Sequence, residues 1–237
     1  MINRFRRTLG VSAKVSQKQI PIKSDALFKS KMESNNLERY KSLVGSEKDK
    51  AFIICGCGTS INTFVPDEKS ILFGVNDINR KLQTKYLICV NEPHTFKRGR
   101  YEWVQNHTSE YFFTHLRSLS PVKHEATVYF DLGAREGTGI DNIGQIDYTT
   151  NSPYMAVIIA YQLGASKIGL IGVDLTPDHF FDKTGNHLLT TRYDAVNEEY
   201  RKLASALVTR GIKVANLSSI SRITSWPYMS QEDFNNF

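Results

Sequence analysis

Short runs of consecutive apolar residues alternate with longer stretches of helical composition along most of this chain. The runs are four to nine residues long, which is typical of strands buried on both faces of a parallel sheet. They lie at residues 51–55, 70–75, 85–90, 111–114, 127–130, 167–175 and 212–217. Strands that alternate with helices are typical of an α/β fold. We therefore predict a Rossmann-like, mostly parallel sheet flanked by helices.

The clearest predicted helix follows the polar cluster at residues 149–152. Pro153 suits the first helical position, so Ser152 or Asn151 is the expected N-cap. The next ten residues are apolar on nearly every face, and Gly164 is a typical helix stop. A helix of this composition is expected to be buried, and its N-terminus offers free N–H groups to an anion.

Three later segments complete the predicted domain. Residues 132–142 are glycine-rich and are expected to form a mobile loop. Residues 191–209 carry apolar side chains on one face, which predicts an amphipathic helix that ends at Gly211. Residues 218–237, which include Trp226, are expected to pack back onto the domain.

Composition narrows the class of protein. The chain has 237 residues and is 41% hydrophobic, which suits one sizeable domain. It has no apolar run of 18 residues and no secretory signal, so neither a transmembrane segment nor secretion is expected. Its three cysteines form no CxxC pair, which indicates a reduced protein. We therefore expect a cytoplasmic protein.

Positive charge is concentrated near the N-terminus. Residues 1–50 contain 12 Lys and Arg against 5 Asp and Glu, whereas the rest of the chain contains 18 against 19. We predict that residues 1–50 form a basic extension, partly helical or flexible, and that residues 51–237 form the nucleotide-binding or catalytic domain. The extension is either a solvated segment or a contact for nucleic acid, anionic membrane or another polyanion.

Glycine and polar residues follow three successive predicted strands at the point where each strand ends. They are Gly56-Cys57-Gly58-Thr59-Ser60, Asn76-Asp77 and Asn91-Glu92. In open α/β sheets the ligand binds beyond the carboxyl ends of the strands. Glycine N–H groups there can cradle a phosphate, and amides can bind a base or a ribose. We predict a nucleotide pocket, with plain turns as the alternative; Asn62 replaces the third glycine of an NAD fingerprint.

Motifs for other chemistry are weaker. Asp174, Asp178, His179, Asp182 and His187 lie close together, but their spacing matches no zinc or EF-hand pattern, so no metal site is assigned. The GxSxG elbow and the Walker A motif are absent. Either histidine is a candidate general base, since imidazole titrates near neutral pH.

Several of these motifs together resemble the bacterial lipooligosaccharide sialyltransferases. They also resemble the wider superfamily that contains the motility-accessory-factor glycosyltransferases and the 6-hydroxymethylpterin diphosphokinases. The resemblance covers about residues 51–230. It is carried by Gly56-Cys57-Gly58-Thr59-Ser60, Asn76, Thr150-Asn151-Ser152-Pro153-Tyr154-Met155-Ala156, Ile168-Gly169-Leu170-Ile171-Gly172-Val173-Asp174 and Asn216-Leu217-Ser218-Ser219 with Trp226-Pro227-Tyr228-Met229.

The resemblance implies roles for particular residues. It implies nucleotide contacts for Gly56, Gly58, Thr59, Ser60, Asn76 and Asn91. It implies that Thr150, Ser152 and Tyr154, with Asn151 between them, lie beside the phosphate or the donor, and that His187 is the catalytic base. Cys57-Gly58-Thr59-Ser60 stands where the family usually has Asn-Gly-Pro-Ser, so the expected donor is a CMP- or UDP-linked sugar.

Three hypotheses follow. The first is a glycosyltransferase that needs no metal and transfers a sugar from a nucleotide-activated donor to a glycan, protein or DNA acceptor. The second is a diphosphokinase that uses ATP and Mg²⁺, with Asp77 or Asp174 as metal ligands. The third is a non-catalytic nucleotide-binding protein tethered to a polyanion through residues 1–50.

Overall fold

A computed structural model of the chain describes residues 37–117, 119, 125, 127–183 and 188–237. Residues 1–36, which make up most of the expected basic extension, lie outside the described residues, and the extension remains a prediction. Residues 37–50 belong to the folded domain. Helix α1 (residues 37–43) packs through Tyr40, whose hydroxyl donates a 2.6 Å hydrogen bond to Oε1 of Gln162.

The described residues contain nine strands. They are β1 (Lys50–Cys55), β2 (Ser70–Val75), β3 (Tyr86–Ile88), β4 (Tyr111–Thr114), β5 (Thr127–Tyr129), β6 (Asp131–Arg135), β7 (Gln145–Tyr148), β8 (Ala165–Ile171) and β9 (Lys213–Asn216). Seven of them form one sheet in the order β5-β4-β3-β2-β1-β8-β9, and every neighbouring pair in it is parallel. The predicted α/β class is therefore confirmed, as are the seven predicted strands.

The order of the strands changes direction between β1 and β8. From β1 the chain moves outward through β2, β3, β4 and β5, and it then returns to place β8 and β9 on the other side of β1. The pairing at this point joins Cys55 to Ile171. Loops that leave adjacent strands in opposite directions open a crevice at the carboxyl end of the sheet, where ligands bind in such folds.

The sheet is buried on both faces because its strands are apolar at successive positions. In β1, Phe52 and Ile54 belong to one hydrophobic core, and Ile53 and Cys55 belong to the other. All four side chains have no exposed surface. The alternation follows from the two-residue period of a strand, which directs neighbouring side chains to opposite faces.

Four further helices complete the described fold. They are α2 (Tyr101–Gln105), α3 (Ser152–Leu163), α4 (Tyr193–Val208) and α5 (Gln231–Asn236). In α3 eleven of the twelve residues are buried, its N-cap is Asn151, and Gly164 ends it with a φ of 108°. These features confirm the predicted buried helix. The predicted amphipathic helix is also confirmed, since α4 buries Val196 and Tyr200 on one face.

The mobile loop predicted at residues 132–142 was wrong in its first half. Residues 131–135 form β6, which pairs with β7, a strand that the sequence analysis did not predict. The buried carboxylate of Asp147 holds both halves of the segment, since it accepts hydrogen bonds from the N–H groups of Ala134 in β6 (2.7 Å) and of Gly139 beyond it (2.6 Å). A Cβ atom at Gly137 would lie 2.2 Å from that carboxylate. Glycine is frequent here because the backbone closely approaches an acidic side chain.

The C-terminal segment packs back onto the domain, as predicted. Trp226 is 1% exposed, and its indole N–H donates a 3.0 Å hydrogen bond to the carbonyl of Tyr200. Phe234 of α5 is fully buried. Among the helices of the described residues, none combines the length and the apolar character needed to cross a membrane.

Candidate functional site

A cleft opens at the carboxyl end of the sheet, at the change of direction between β1 and β8. It brings together eight of the residues predicted to bind a nucleotide: Gly56, Gly58, Asn76, Asn91, Thr150, Asn151, Ser152 and Asp174. The cleft is also lined by residues that the sequence analysis did not assign to the pocket: Cys57, Val75, Pro153, Gly172, Val173, Leu175, Thr176, Asp178, His179 and Leu189. The loops that follow β1, β2, β3 and β8 and the start of α3 therefore converge on one site.

Two glycines allow the backbones beyond β1 and β8 to approach closely. The N–H of Gly56 donates to the carbonyl of Ile171 (2.8 Å), and the N–H of Gly58 donates to that of Gly172 (2.7 Å). A Cβ atom at Gly56 would lie 2.4 Å from the oxygen of Gly172, and one at Gly172 would lie 2.3 Å from the oxygen of Gly56. Both residues must therefore be glycine for this wall of the cleft to form.

Asp174 holds the glycine turn in place. Its buried carboxylate accepts hydrogen bonds from the N–H (2.8 Å) and hydroxyl (2.6 Å) of Ser60 and from the hydroxyl of Ser218 (2.8 Å). The Ser60 hydroxyl in turn accepts a 2.9 Å hydrogen bond from the N–H of Gly172. Ser60 and its neighbour Thr59 do not line the cleft. Ser60 instead joins the loops after β1 and β8.

Two asparagines form the side of the cleft beyond β2 and β3. Nδ2 of Asn91 donates a 3.2 Å hydrogen bond to Oδ1 of Asn76. Asn76 has a φ of 56°, a left-handed conformation that asparagine tolerates better than most residues. The pairing leaves Nδ2 of Asn76 as a donor and Oδ1 of Asn91 as an acceptor for a ligand.

The N-terminus of α3 forms the opposite side of the cleft. Asn151 occupies the N-cap in an extended conformation, but its side chain makes no capping hydrogen bond. The residue is 4% exposed, and its Nδ2 is buried without a partner among the described residues. The hydroxyl of Thr176, which also lines the cleft, is buried without such a partner. Buried polar groups of this kind cost about 1–3 kcal/mol each unless something binds them.

Two further predicted site residues do not line the cleft. Asp77 is fully buried and forms ion pairs with Arg100 and Arg80. Tyr154 is also fully buried, and its hydroxyl donates a 2.8 Å hydrogen bond to the carbonyl of Gly137. Burial, followed by the charges of Asp147 and Glu199, raises the pKa of Tyr154. Neither side chain lines the cleft, so both support the loops around it.

The structure brings His179 to the cleft. Its N–H donates to the carbonyl of Asp182 (3.1 Å), and its ring stacks on Phe181 at a centroid distance of 5.2 Å. The other candidate base, His187, lies outside the described residues and remains a prediction. Cys57 adds a thiol to the cleft, and burial, reinforced by the charge of Asp77, raises the pKa of that thiol well above its usual value.

The carboxylates named as possible Mg²⁺ ligands are already engaged. Asp77 is bound by two arginines, and both oxygens of Asp174 accept hydrogen bonds. Over residues 37–117, 127–183 and 188–237, no three His, Cys, Asp or Glu side chains are grouped so that they can hold a metal ion.

The fold is that of an α/β protein with a polar cleft at the switch point of a parallel sheet. No protein-family model and no curated protein matches the chain. Among solved structures, it is similar to the sialyltransferase CST-II in complex with a trisaccharide acceptor and CMP, with 16% identity and a TM-score of 0.49. It is also similar to CstII from Campylobacter jejuni in complex with the substrate analogue CMP-3FNeuAc, with 16% identity and a TM-score of 0.48. Both similarities cover 76% of this chain and 86% of the other.

Proposed function

We propose that this protein is a glycosyltransferase-like enzyme that transfers a sugar from a CMP- or UDP-linked donor to an acceptor hydroxyl. The observation that carries the proposal is the N-terminus of α3. The positive end of the helix dipole lies there, and the N-cap residue Asn151 makes no capping hydrogen bond. Pro153 has no N–H, and the N–H of Tyr154 donates to the carbonyl of Asn151 (3.0 Å), so the N–H of Ser152 is the backbone donor of the first turn that is left for a ligand. The buried amide of Asn151 adds a donor without a partner in the described structure. Together these groups form a site for an anion such as the donor phosphate.

The nucleoside would lie toward the loops after β1, β2 and β3. The glycine turn at Gly56 and Gly58 lines the cleft, and its backbone groups are candidates to bind a ribose or phosphate. The free donor of Asn76 and the free acceptor of Asn91 suit the hydrogen-bonding edge of a base or the hydroxyls of a ribose. Either pyrimidine nucleotide meets this description.

Sugar transfer from such a donor breaks the bond between the sugar carbon and a phosphate oxygen, and the electron pair stays on the phosphate. The acceptor oxygen forms the new bond to the same carbon and loses its proton. Donors at the start of α3 would stabilise the charge that develops on the phosphate. His179 is the base that we assign to the acceptor proton, because it lines the same cleft.

The diphosphokinase is less well supported. Its Mg²⁺ would need carboxylates that face the ligand, whereas Asp77 is paired with Arg100 and Asp174 holds Ser60 and Ser218. Opening either site would leave a half-buried arginine or buried hydroxyl groups without their partners. These contacts favour the metal-independent reaction.

A thermal-shift screen against CMP, UDP, GDP, ADP and ATP, each with and without Mg²⁺, tests the proposal. A ligand that binds only the folded state stabilises it by RT ln(1 + [L]/Kd), about 2.7 kcal/mol at a hundredfold excess over Kd. We expect a shift with CMP or UDP in the presence of EDTA. A shift that requires Mg²⁺ and ATP would support the diphosphokinase, and no shift with any nucleotide would contradict both.

Turnover then tests the base. With the nucleotide-sugar identified by the screen, we expect His179→Gln to lower the rate of transfer by about 10²–10⁴-fold. His187→Gln is the matched comparison, because both changes remove one imidazole and His187 is the base that the family resemblance implies. A large loss in His187→Gln with full activity in His179→Gln would transfer the role of base to His187.

A further inference from the structure

Three arginines outside the cleft contact the turn that carries His179: Arg98 pairs with Asp182, and Arg80 and Arg100 contact the ring of Phe181. This turn, residues 179–182, is closed by two backbone hydrogen bonds. The N–H of His179 donates to the carbonyl of Asp182 (3.1 Å), and the N–H of Asp182 donates to the carbonyl of His179 (3.3 Å). A third backbone bond joins the N–H of Phe180 to the carbonyl of Cys57 (3.0 Å). The turn that carries His179 therefore lies against the glycine turn after β1. Its remaining contacts are made by the side chains of the turn.

Arg100 is fixed by a buried carboxylate. Its Nε donates a 2.8 Å hydrogen bond to Oδ2 of Asp77, and its terminal nitrogen forms a second bond to Oδ1. Asp77 is fully buried, while the Arg100 side chain is 22% exposed. A bidentate pair of this kind fixes the plane of the guanidinium as well as its position. Arg80 adds a further charge 3.9 Å from Oδ2.

The face of the same guanidinium contacts the turn. Cζ of Arg100 lies 4.0 Å from the centre of the Phe181 ring and 5.5 Å from that of Phe96. Cζ of Arg80 lies 5.1 Å from the Phe181 ring. Cation–π contacts at these distances are attractive, because the ring face carries partial negative charge. Phe181 is thus held by two cations whose own positions are set by Asp77.

Phe181 in turn contacts the ring of His179. The two rings stack with an interplanar angle of 23° and a centroid distance of 5.2 Å. The order of contacts is therefore Asp77, Arg100, Phe181 and His179, from a buried carboxylate after β2 to an imidazole in the cleft. Arg100 does not line the cleft. Its effect on a bound ligand would pass through the turn.

We propose that Arg100 is a positioning residue that fixes the orientation of His179 through Phe181. The inference rests on the proposed function for its catalytic meaning, but the orientation of the imidazole can be measured without turnover. It also gives Asp77, which was expected to contact the nucleotide or Mg²⁺, a different role. Asp77 fixes the plane of the guanidinium that supports the histidine.

The test uses Arg100→Lys and Phe181→Leu in the full-length protein. Lysine keeps the positive charge beside Asp77 but loses the planar bidentate contact, and leucine removes the aromatic ring without leaving a buried charge unpaired. Arg210→Lys is the control, because Arg210 pairs with the exposed Asp141. The chain has six histidines, so the imidazole signal of His179 can be assigned by NMR with the His179→Gln variant.

We expect the NOE contacts of the His179 imidazole to change in both variants and to stay unchanged in Arg210→Lys. NOE contacts are compared instead of chemical shifts, because loss of the stacked Phe181 ring moves the shift of His179 by itself. We expect kcat to fall by about tenfold or more while the Kd for CMP or UDP changes by less than about twofold, because a displaced base affects the reaction and not nucleotide binding. If Arg100→Lys does not fold, Phe181→Leu alone decides the question.

Two results would overturn the inference. One is a set of His179 NOE contacts that stays unchanged in folded Phe181→Leu, since the ring would then have no effect on the orientation of the imidazole. The other is a loss of nucleotide affinity equal to the loss of kcat, which would indicate a general collapse of the cleft. Failure of the proposed function can be distinguished from failure of this inference. In the first case the wild-type protein would neither bind nucleotide nor show turnover, independently of the NMR result for His179.

Discussion

The close approach of Gly56 and Gly172 can be separated from ordinary glycine effects with three alanine substitutions. Gly45→Ala introduces a side chain at a φ of 70° with no atom within 4 Å of the new Cβ, so it measures backbone strain alone. We expect it to cost about 1–2 kcal/mol. Gly56→Ala has no positive φ, but its Cβ would lie 2.4 Å from the oxygen of Gly172. Gly172→Ala combines a φ of 67° with a contact of 2.3 Å.

The magnitude follows from the contacts that must open. A Cβ at Gly56 forces the two backbones apart by at least about 0.6 Å to reach the shortest contacts that real side chains make. That displacement weakens the two hydrogen bonds that join Gly56 and Gly58 to the loop after β8, at about 1 kcal/mol each, and adds about 1–3 kcal/mol of packing strain. We expect Gly56→Ala to cost about 3–5 kcal/mol, and Gly172→Ala to cost about 1–2 kcal/mol more.

Urea denaturation of the three variants is the assay, supported by thermal melts. For a chain of this length, each kcal/mol lowers Tm by about 2–4 °C. The ranking expected is Gly45→Ala least, Gly56→Ala intermediate and Gly172→Ala most destabilised. The reasoning would be refuted if Gly56→Ala lost no more stability than Gly45→Ala, since the two backbones would then not be in contact.

Two further predictions concern buried carboxylates. Asp174→Ala removes three hydrogen bonds to a charged acceptor and leaves the Ser60 and Ser218 hydroxyls buried, so we expect urea denaturation to show a loss of about 3–5 kcal/mol in the free energy of unfolding. In the control, Asp141→Ala, an exposed carboxylate is removed and the loss should be less than about 1 kcal/mol. Equal losses in the two variants would count against the role of Asp174. Burial raises the pKa of Glu199 in the folded protein, so its protonated form contributes stability that is present below the unfolded pKa and is lost as the pH rises through the folded pKa. Glu199→Gln should therefore raise Tm at pH 7.5 but not near pH 4, and a gain independent of pH would contradict this assignment.

The sequence predicts the sheet and α3 well because each depends on a local pattern. Continuous apolar runs are needed by strands buried on both faces, and the sequence from Asn151 to Gly164 carries both an N-terminal proline and a C-terminal glycine. The ends of the strands are predicted less accurately, since β8 ends at Ile171 although the predicted strand continues to Leu175. Gly172 ends the strand because its positive φ turns the chain toward Gly56.

The site was harder to predict because side-chain roles depend on distant partners. Asn76 and Asp77 are adjacent in the sequence, yet Asn76 lines the cleft while Asp77 is paired with Arg100, 23 residues further along. Tyr154 follows the N-cap of α3, but at that helical position it points toward Gly137. A paired Asp and a free Asp look the same in a sequence. The apolar face of a helix likewise does not indicate which loop covers it.

The predicted loop at residues 132–142 illustrates the same limit. Its glycines indicated mobility, whereas they allow the backbone to surround the carboxylate of Asp147. The alternation at residues 145–148, with Ile146 buried, was a weak signal for β7. Recognising it would have required the partner strand, because a four-residue strand has little pattern of its own.

The central claim is that the start of α3 binds the phosphate of a nucleotide, and calorimetric titration of Asn151→Asp tests it most directly. Aspartate has the size of asparagine and its charge suits the positive end of the helix dipole, so the fold should be retained, but the same charge repels a phosphate. With CMP and cytidine, or with UDP and uridine if the screen selects uracil, we expect nucleotide affinity to fall by about tenfold or more and nucleoside affinity to change by less than about twofold. An equal change for nucleotide and nucleoside, or no binding of either to the wild-type protein, would contradict the account.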